Sequence, residues 1–166
     1  MTSALQLVLD DGKVAMAPEI RIVSMAAPDV NALRANLREE DLAECLGFGV
    51  SIQKALWISY KGSLVRKTAY VDGELAACWG VGGVFLGRVG NPWLLTTPAA
   101  KNISPLRFAR IYQMEVMAML KMFSRLENFV DARYDAAIRL LEIIGFTVEE
   151  PEKLGNGVYR RFWIEA

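Results

Sequence analysis

Histidine is absent from the chain. That removes a Ser-His-Asp triad, a Cys-His pair and most zinc sites, so proton transfer falls to Glu, Asp, Tyr, Cys, Lys or bound water. No metal site is expected. The two cysteines, Cys45 and Cys78, have no C-x-x-C spacing. They read as buried free thiols, one in a helix and one in a strand, with a disulfide left open. A strand centre gives Cys78 neither the cationic neighbour nor the helix N-terminus that makes a thiol reactive, so it reads as core. Three cations, Lys101, Arg107 and Arg110, gather at a helix start marked by Ser104-Pro105. Cations there oppose the helix dipole at roughly 0.3–1 kcal/mol each, and a bound anion would explain them. The alternative is solvated surface charge. Among the carboxylates, Asp41 reads as an N-cap, Glu44 as a solvent-facing helix charge, Glu74 as the flank of a hairpin turn, and Asp131 as a cap near a helix at 134–144.

These residues need a scaffold, and the apolar spacing supplies one. Residues 4–16 alternate around Asp11-Gly12 and read as a hairpin, an N-terminal extension over 1–18. One domain is expected over 19–166. A strand at 20–25 leads to a helix opened by Pro28 and Asp29, with Val30, Leu33 and Leu37 on one face. A second helix covers 51–60 and ends at Gly62. Strands at 64–71 and 74–81 flank Asp72-Gly73, a hairpin turn. Residues 84–89 continue the second strand or begin another. Asn91-Pro92 reads as a turn before a short strand, 93–97.

Ser104-Pro105 then opens a long helix to about Phe123, with Leu106, Ala109, Val116, Leu120 and Phe123 in one stripe. Further apolar residues on it, Ile111, Met114, Met119 and Met122, predict a well-buried helix. A strand at 129–130 and a helix at 134–144, closed by Gly145, follow. Strands at 146–150 and 158–164 are joined by a loop holding Pro151, Gly155 and Gly157. Trp57, Trp79, Trp93 and Trp163 are expected in the core, one of them against a cleft.

Composition narrows the function. The chain is 53% hydrophobic and 23% charged, a globular balance. Lys plus Arg is 19 and Asp plus Glu is 19, and this neutrality argues against nucleic acid as the main partner. No apolar run approaches the roughly 20 residues that span a bilayer, and no secretory signal is visible, so a cytoplasmic protein is expected.

The order of elements resembles that of the GNAT family of N-acetyltransferases. The resemblance is most specific at FVDARYDAAIRLLEIIGF (129–146), where Ala137 and Gly145-Phe146 match a strand, a short helix and a Gly-Phe entry to the next strand. The chain is also similar to phage and prophage proteins with a GNAT-like fold, relatives of internal virion assembly proteins of short-tailed phages. That similarity rests on PWLLTTP (92–98), VDAR (130–133), AIRLLEIIGF (137–146) and a closing Arg-Arg-Phe (160–162), and covers roughly 19–166.

The resemblance implies an α/β fold, with a mixed, mostly antiparallel sheet of about 6–7 strands flanked by helices on both faces. It implies acetyl-CoA as cofactor and an unknown amine as acceptor. Leu94, Leu95 and Thr96 would hold the pantetheine arm, and Ser104, Arg107 and Arg110 would meet the pyrophosphate at a helix N-terminus. Two features depart from the family. The loop PAAKNISPLRFAR (98–110) has no glycine, and the place where many relatives carry a catalytic Tyr is Leu141, beside Leu140. Tyr134 is the remaining candidate acid, with a core position as its alternative, and Glu44 is the candidate base. The competing expectation is a non-catalytic virion assembly or interaction protein on a degenerate GNAT fold, with phage structural proteins as partners. A homodimer is compatible with either.

Overall fold

The computed structural model describes residues 17–39, 41, 50–83 and 88–166, and the backbone of 7–8 and 14–15. Two short strands, β1 (Leu7–Val8) and β2 (Val14–Ala15), pair antiparallel in a sheet of their own. The expected Asp11-Gly12 turn lies outside the described residues. After β3 (Ile20–Ser24) comes α1 (Ala27–Asn36), with Pro28 in its first turn. Asp29 fixes this helix start. Its carboxylate accepts from the Ala26 N–H (2.8 Å), the Thr68 hydroxyl (2.9 Å) and the Tyr70 hydroxyl, so one buried anion ties the helix to the sheet.

Helix α2 (Ile52–Gly62) is capped by the Ser51 side chain, which accepts from the Lys54 N–H. Strands β4 (Ser63–Val71) and β5 (Glu74–Gly83) follow, joined at Asp72 and Gly73, whose φ values of 48° and 85° form the expected tight turn. β6 (Val89–Thr96) contains Asn91 and Pro92, which the sequence places in a turn. A 3-10 turn (Pro98–Asn102) leads to α3 (Pro105–Leu120), capped by Ser104 as expected.

Helix α3 corrects two expectations. It ends at Leu120, because a turn at 121–122 sends the chain back towards the sheet, and Phe123 is buried beyond the helix. It is also buried on one side only. Ala109, Tyr112, Val116 and Met119 face the sheet, whereas Leu106 is 61% and Met114 73% exposed. The charged pair Lys67–Glu115 (2.7 Å), with the Trp79 indole donating to Glu115 (3.3 Å), pins the buried side to β4 and β5.

β7 (Arg125–Asp131) is longer than expected. Helix α4 (Asp135–Ile144) ends on Gly145, which takes the left-handed conformation (φ 107°) that a side chain resists. β8 (Thr147–Leu154) holds Pro151 inside the strand rather than in a loop. The register shifts between Val148 and Pro151, and β8 is an edge strand, where a missing N–H is tolerated. β9 (Gly157–Glu165) closes the chain.

Among the described residues the main sheet has seven strands in the order β3-β4-β5-β6-β7-β9-β8, and only β6–β7 is parallel. Helices α3 and α4 cover one face over Trp79, Val81, Leu126 and Phe162. Helices α1 and α2 cover the other, over Cys78, Trp93 and Leu95. Trp163 is not core: it lies half-buried on the sheet, its indole donating to Glu149 and the Arg125 guanidinium over its ring. Among the described residues no helix is long and apolar enough to cross a membrane.

Candidate functional site

The site is made where two neighbouring strands stop pairing. β6 pairs with β5 through seven residue pairs, from Gly83↔Gly90 to Ala77↔Thr96. It pairs with β7 at only two, Val89↔Arg125 and Gly90↔Leu126. Beyond Gly90 the strands part. Gly90 sits at the apex, where an added Cβ would lie 2.8 Å from Leu126, Phe123 and Val81.

The direction of each backbone group follows from its bonds. In a strand the N–H and C=O of one residue point the same way, and the next residue reverses them. The Thr97 N–H returns to the Ala76 carbonyl of β5 (2.9 Å). Thr96 points away from β5: its N–H goes to Asp41 and its carbonyl accepts from the Arg38 N–H (3.3 Å). The Pro92 carbonyl, also away from β5, accepts from the Asn128 amide across the gap (3.0 Å). Pro92, Leu94 and Thr96 therefore face the gap. This explains why a proline is tolerated in an interior strand, since its missing N–H would have pointed at no partner. The Leu94 N–H and C=O face the same gap, and none of the described residues bonds to them.

Behind this edge lies a cavity of about 560 Å³. Phe108 and Tyr112 of α3 form part of its wall, with Tyr134, Ala137 and Leu141 at α4. Ser59 and Trp93 reach it from the side of α2, the Trp93 indole donating to Ser63 (2.8 Å). The walls are mainly apolar with a few placed polar groups, the character of a small-molecule site. Among the described lining residues the charged ones are Arg38, Asp41 and Lys101. Burial, and then the charge of Glu115, push the Tyr112 hydroxyl well above the ordinary tyrosine range, so it stays a neutral hydroxyl.

The structure brings Leu94, Leu95, Thr96 and Tyr134 to this cavity. Tyr134 is half-buried at the N-cap of α4, between cavity and core. Leu140 and Leu141 both line the cavity, so the apolar departure from the family pattern faces the site. Ser104, Arg107 and Arg110 are not brought there. The Ser104 oxygen caps the Arg107 N–H, the Arg107 guanidinium donates to the Pro18 carbonyl (3.0 Å), and Arg110 lies exposed on the outer side of α3. The buried positions of α3 fix its rotation and turn these arginines away. Of the three cations at that helix start, Lys101 is the one on the cavity. Glu44 and Cys45 lie outside the described residues.

Sequence reasoning missed Asn128, Tyr112 and Ser59 and misread Asp41. Asp41 does not face solvent: it is 3% exposed, and one carboxylate oxygen accepts both the N–H (3.1 Å) and the hydroxyl (3.0 Å) of Thr96, while the residues a cap would serve lie outside the described ones. Asp131 precedes α4, whose N-cap residue is Tyr134. It closes the preceding turn by accepting from the Arg133 N–H and guanidinium, whose hydrogen bonds hold its carboxyl below the usual range. Cys78 is buried as expected, and its thiol is pushed up to about 12, chiefly by that burial.

No family model matches the sequence, and no curated protein is similar to it. Solved structures show the fold. A GNAT-family acetyltransferase from Streptococcus pneumoniae is 15% identical with a TM-score of 0.63, covering 89% of this chain and 99% of its own. Spermidine N-acetyltransferase from Vibrio cholerae, solved with CoA and spermine, is 11% identical with a TM-score of 0.66, covering 88% and 95%. AAC(6')-Ib, solved with ribostamycin and coenzyme A, is 15% identical with a TM-score of 0.66, covering 88% and 93%. The fold is the GNAT α/β fold.

Proposed function

We propose that this chain is a GNAT-type N-acyltransferase that takes an acetyl group from acetyl-CoA to an amine. The observation that carries the reading is the parted β6 edge, which presents the Leu94 N–H and C=O to a largely apolar cavity. An extended arm bearing amides, such as pantetheine, fits an unpaired strand edge because it can complete the ladder. Leu95 pairs with Cys78 of β5. The phosphate end would be met by the side chains of Lys101 and Arg38, in place of a glycine loop.

Bound acetyl-CoA supplies an activated thioester. The chain's part is to orient it and to stabilise charge, with a backbone N–H of β6 as the proposed donor to a developing oxyanion. Tyr134 is the proposed proton donor to the departing thiol, and Glu44 the proposed base for the amine. An amine acceptor is supported by the spermine and ribostamycin bound in two proteins of the same fold.

Thermal unfolding with and without acetyl-CoA tests the reading. A ligand at about 100 times its Kd, bound only by the folded state, stabilises by roughly 2.7 kcal/mol, a rise of several degrees at this chain length. No shift at millimolar acetyl-CoA would contradict it. That result would favour the second reading, a non-catalytic contact role such as virion assembly, which rests on the sequence resemblance and on the glycine-free loop.

A further inference from the structure

Two residues of β6, Leu94 and Thr96, turn their backbone groups to the gap, and they differ in what they meet. Leu94 is met by none of the described residues. Thr96 is met by the chain itself. The segment leaving α1 crosses the end of β6, and the Arg38 N–H donates to the Thr96 carbonyl (3.3 Å). The Asp41 carboxylate takes the place of a strand carbonyl and accepts from the Thr96 N–H (3.1 Å). The Thr96 hydroxyl joins both sides, donating to Asp41 (3.0 Å) and accepting from the Arg38 guanidinium (3.4 Å). Residues 38 and 41 thus imitate one rung of a neighbouring strand, on the same edge and in the same cavity as the Leu94 rung.

Successive gap-facing residues lie roughly 6.6 Å apart along a strand. An arm with two amides that pairs at Leu94 reaches Thr96 as its next rung and meets the strap there. We propose that Arg38 and Asp41 form a displaceable strap over the acyl-CoA site, which closes the Thr96 rung and yields it when an amide-bearing arm binds. The inference rests on the acyltransferase reading above. Its energetic logic is competition: affinity is reduced by the fraction of molecules with the strap closed, and weakening the strap restores it.

The test combines calorimetric titration with acetyl-CoA and hydrogen exchange at the Arg38 amide. Asp41→Ala is expected to tighten acetyl-CoA binding on the order of tenfold. In the unmodified protein, saturation with acetyl-CoA is expected to speed exchange at Arg38, whose N–H loses the Thr96 carbonyl. Thr96→Val keeps the backbone rung but removes the hydroxyl that both strap residues contact, and it should tighten binding in the same direction. It serves if Asp41→Ala fails to fold. Weaker or unchanged binding in the variants, with exchange at Arg38 slowed or unaltered by ligand, would overturn the strap and leave the acyltransferase reading standing. No binding by any of the proteins at millimolar acetyl-CoA would remove both.

Discussion

The two edges of β6 are built from one stretch of backbone and have opposite fates. Towards β5 every rung from Gly90 to Thr96 has a partner, and glycine lets the strands close up: a Cβ on Gly80 would sit 2.6 Å from the Val65 carbonyl oxygen and 2.9 Å from the Trp93 ring. Towards β7 the ladder stops after two pairs, and side-chain amides take over. Asn91 donates to the Glu127 carbonyl and Asn128 to the Pro92 carbonyl, each at 3.0 Å. The difference teaches that this site is made by withholding strand pairing more than by gathering reactive side chains. A polar backbone edge inside a protein needs partners. An edge closed by side-chain amides and by a strap is one that a ligand can complete.

Proline substitutions one residue apart separate the edges most sharply. Leu95→Pro removes an N–H from the closed edge and leaves a buried β5 carbonyl unpaired, a loss of at least about 1–3 kcal/mol read in chemical denaturation. Gly80→Ala attacks the same edge by crowding Val65 and Trp93, and is expected to cost about 1–3 kcal/mol by the same assay. Leu94→Pro removes an N–H from the open edge. It should leave the circular dichroism spectrum native while weakening acetyl-CoA by at least about tenfold, or about 1.4 kcal/mol. Asn128→Ala deprives the Pro92 carbonyl of its donor and should lower stability by about 1 kcal/mol in the unliganded protein.

The smallest effect concerns Cys78, which pairs with Leu95 on the closed edge. Its pKa is raised from 9.0 to about 12, so the thiol stays protonated in the folded state when the unfolded chain has already lost that proton. The stability this gives is fully present below pH 9 and is lost as pH rises towards 12. Melting curves of Cys78→Ala should fall less steeply over that window than those of the parent protein. Equal slopes would place Cys78 in contact with water.

The features legible in the sequence are those fixed locally. Ser104-Pro105, Asp72-Gly73 and Gly145 each act within a few residues, and each stands where the sequence puts it. Asn91-Pro92 carries the same local turn chemistry and yet lies in a strand, because pairing with β5 on one side and the end of the β7 ladder on the other are tertiary facts. Asp41 has the composition of a helix cap, but its partner Thr96 is 55 residues away, and no local pattern encodes that pairing. The arginines of α3 fail for a related reason. Their distance from the helix start is plain in the sequence, whereas the rotation that turns them outward is set by Ala109, Tyr112 and Val116 packing on the sheet.

The central claim is that the Leu94 edge is where an acyl-CoA arm docks. It is tested most directly by titrating acetyl-CoA into ¹⁵N-labelled protein and following the amides of Leu94 and Leu95. The account predicts a saturable, large change at Leu94, which faces the gap, and a much smaller one at Leu95, which is bonded to β5. Saturation of the protein with Leu94 unmoved, or no response anywhere at millimolar acetyl-CoA, would contradict it.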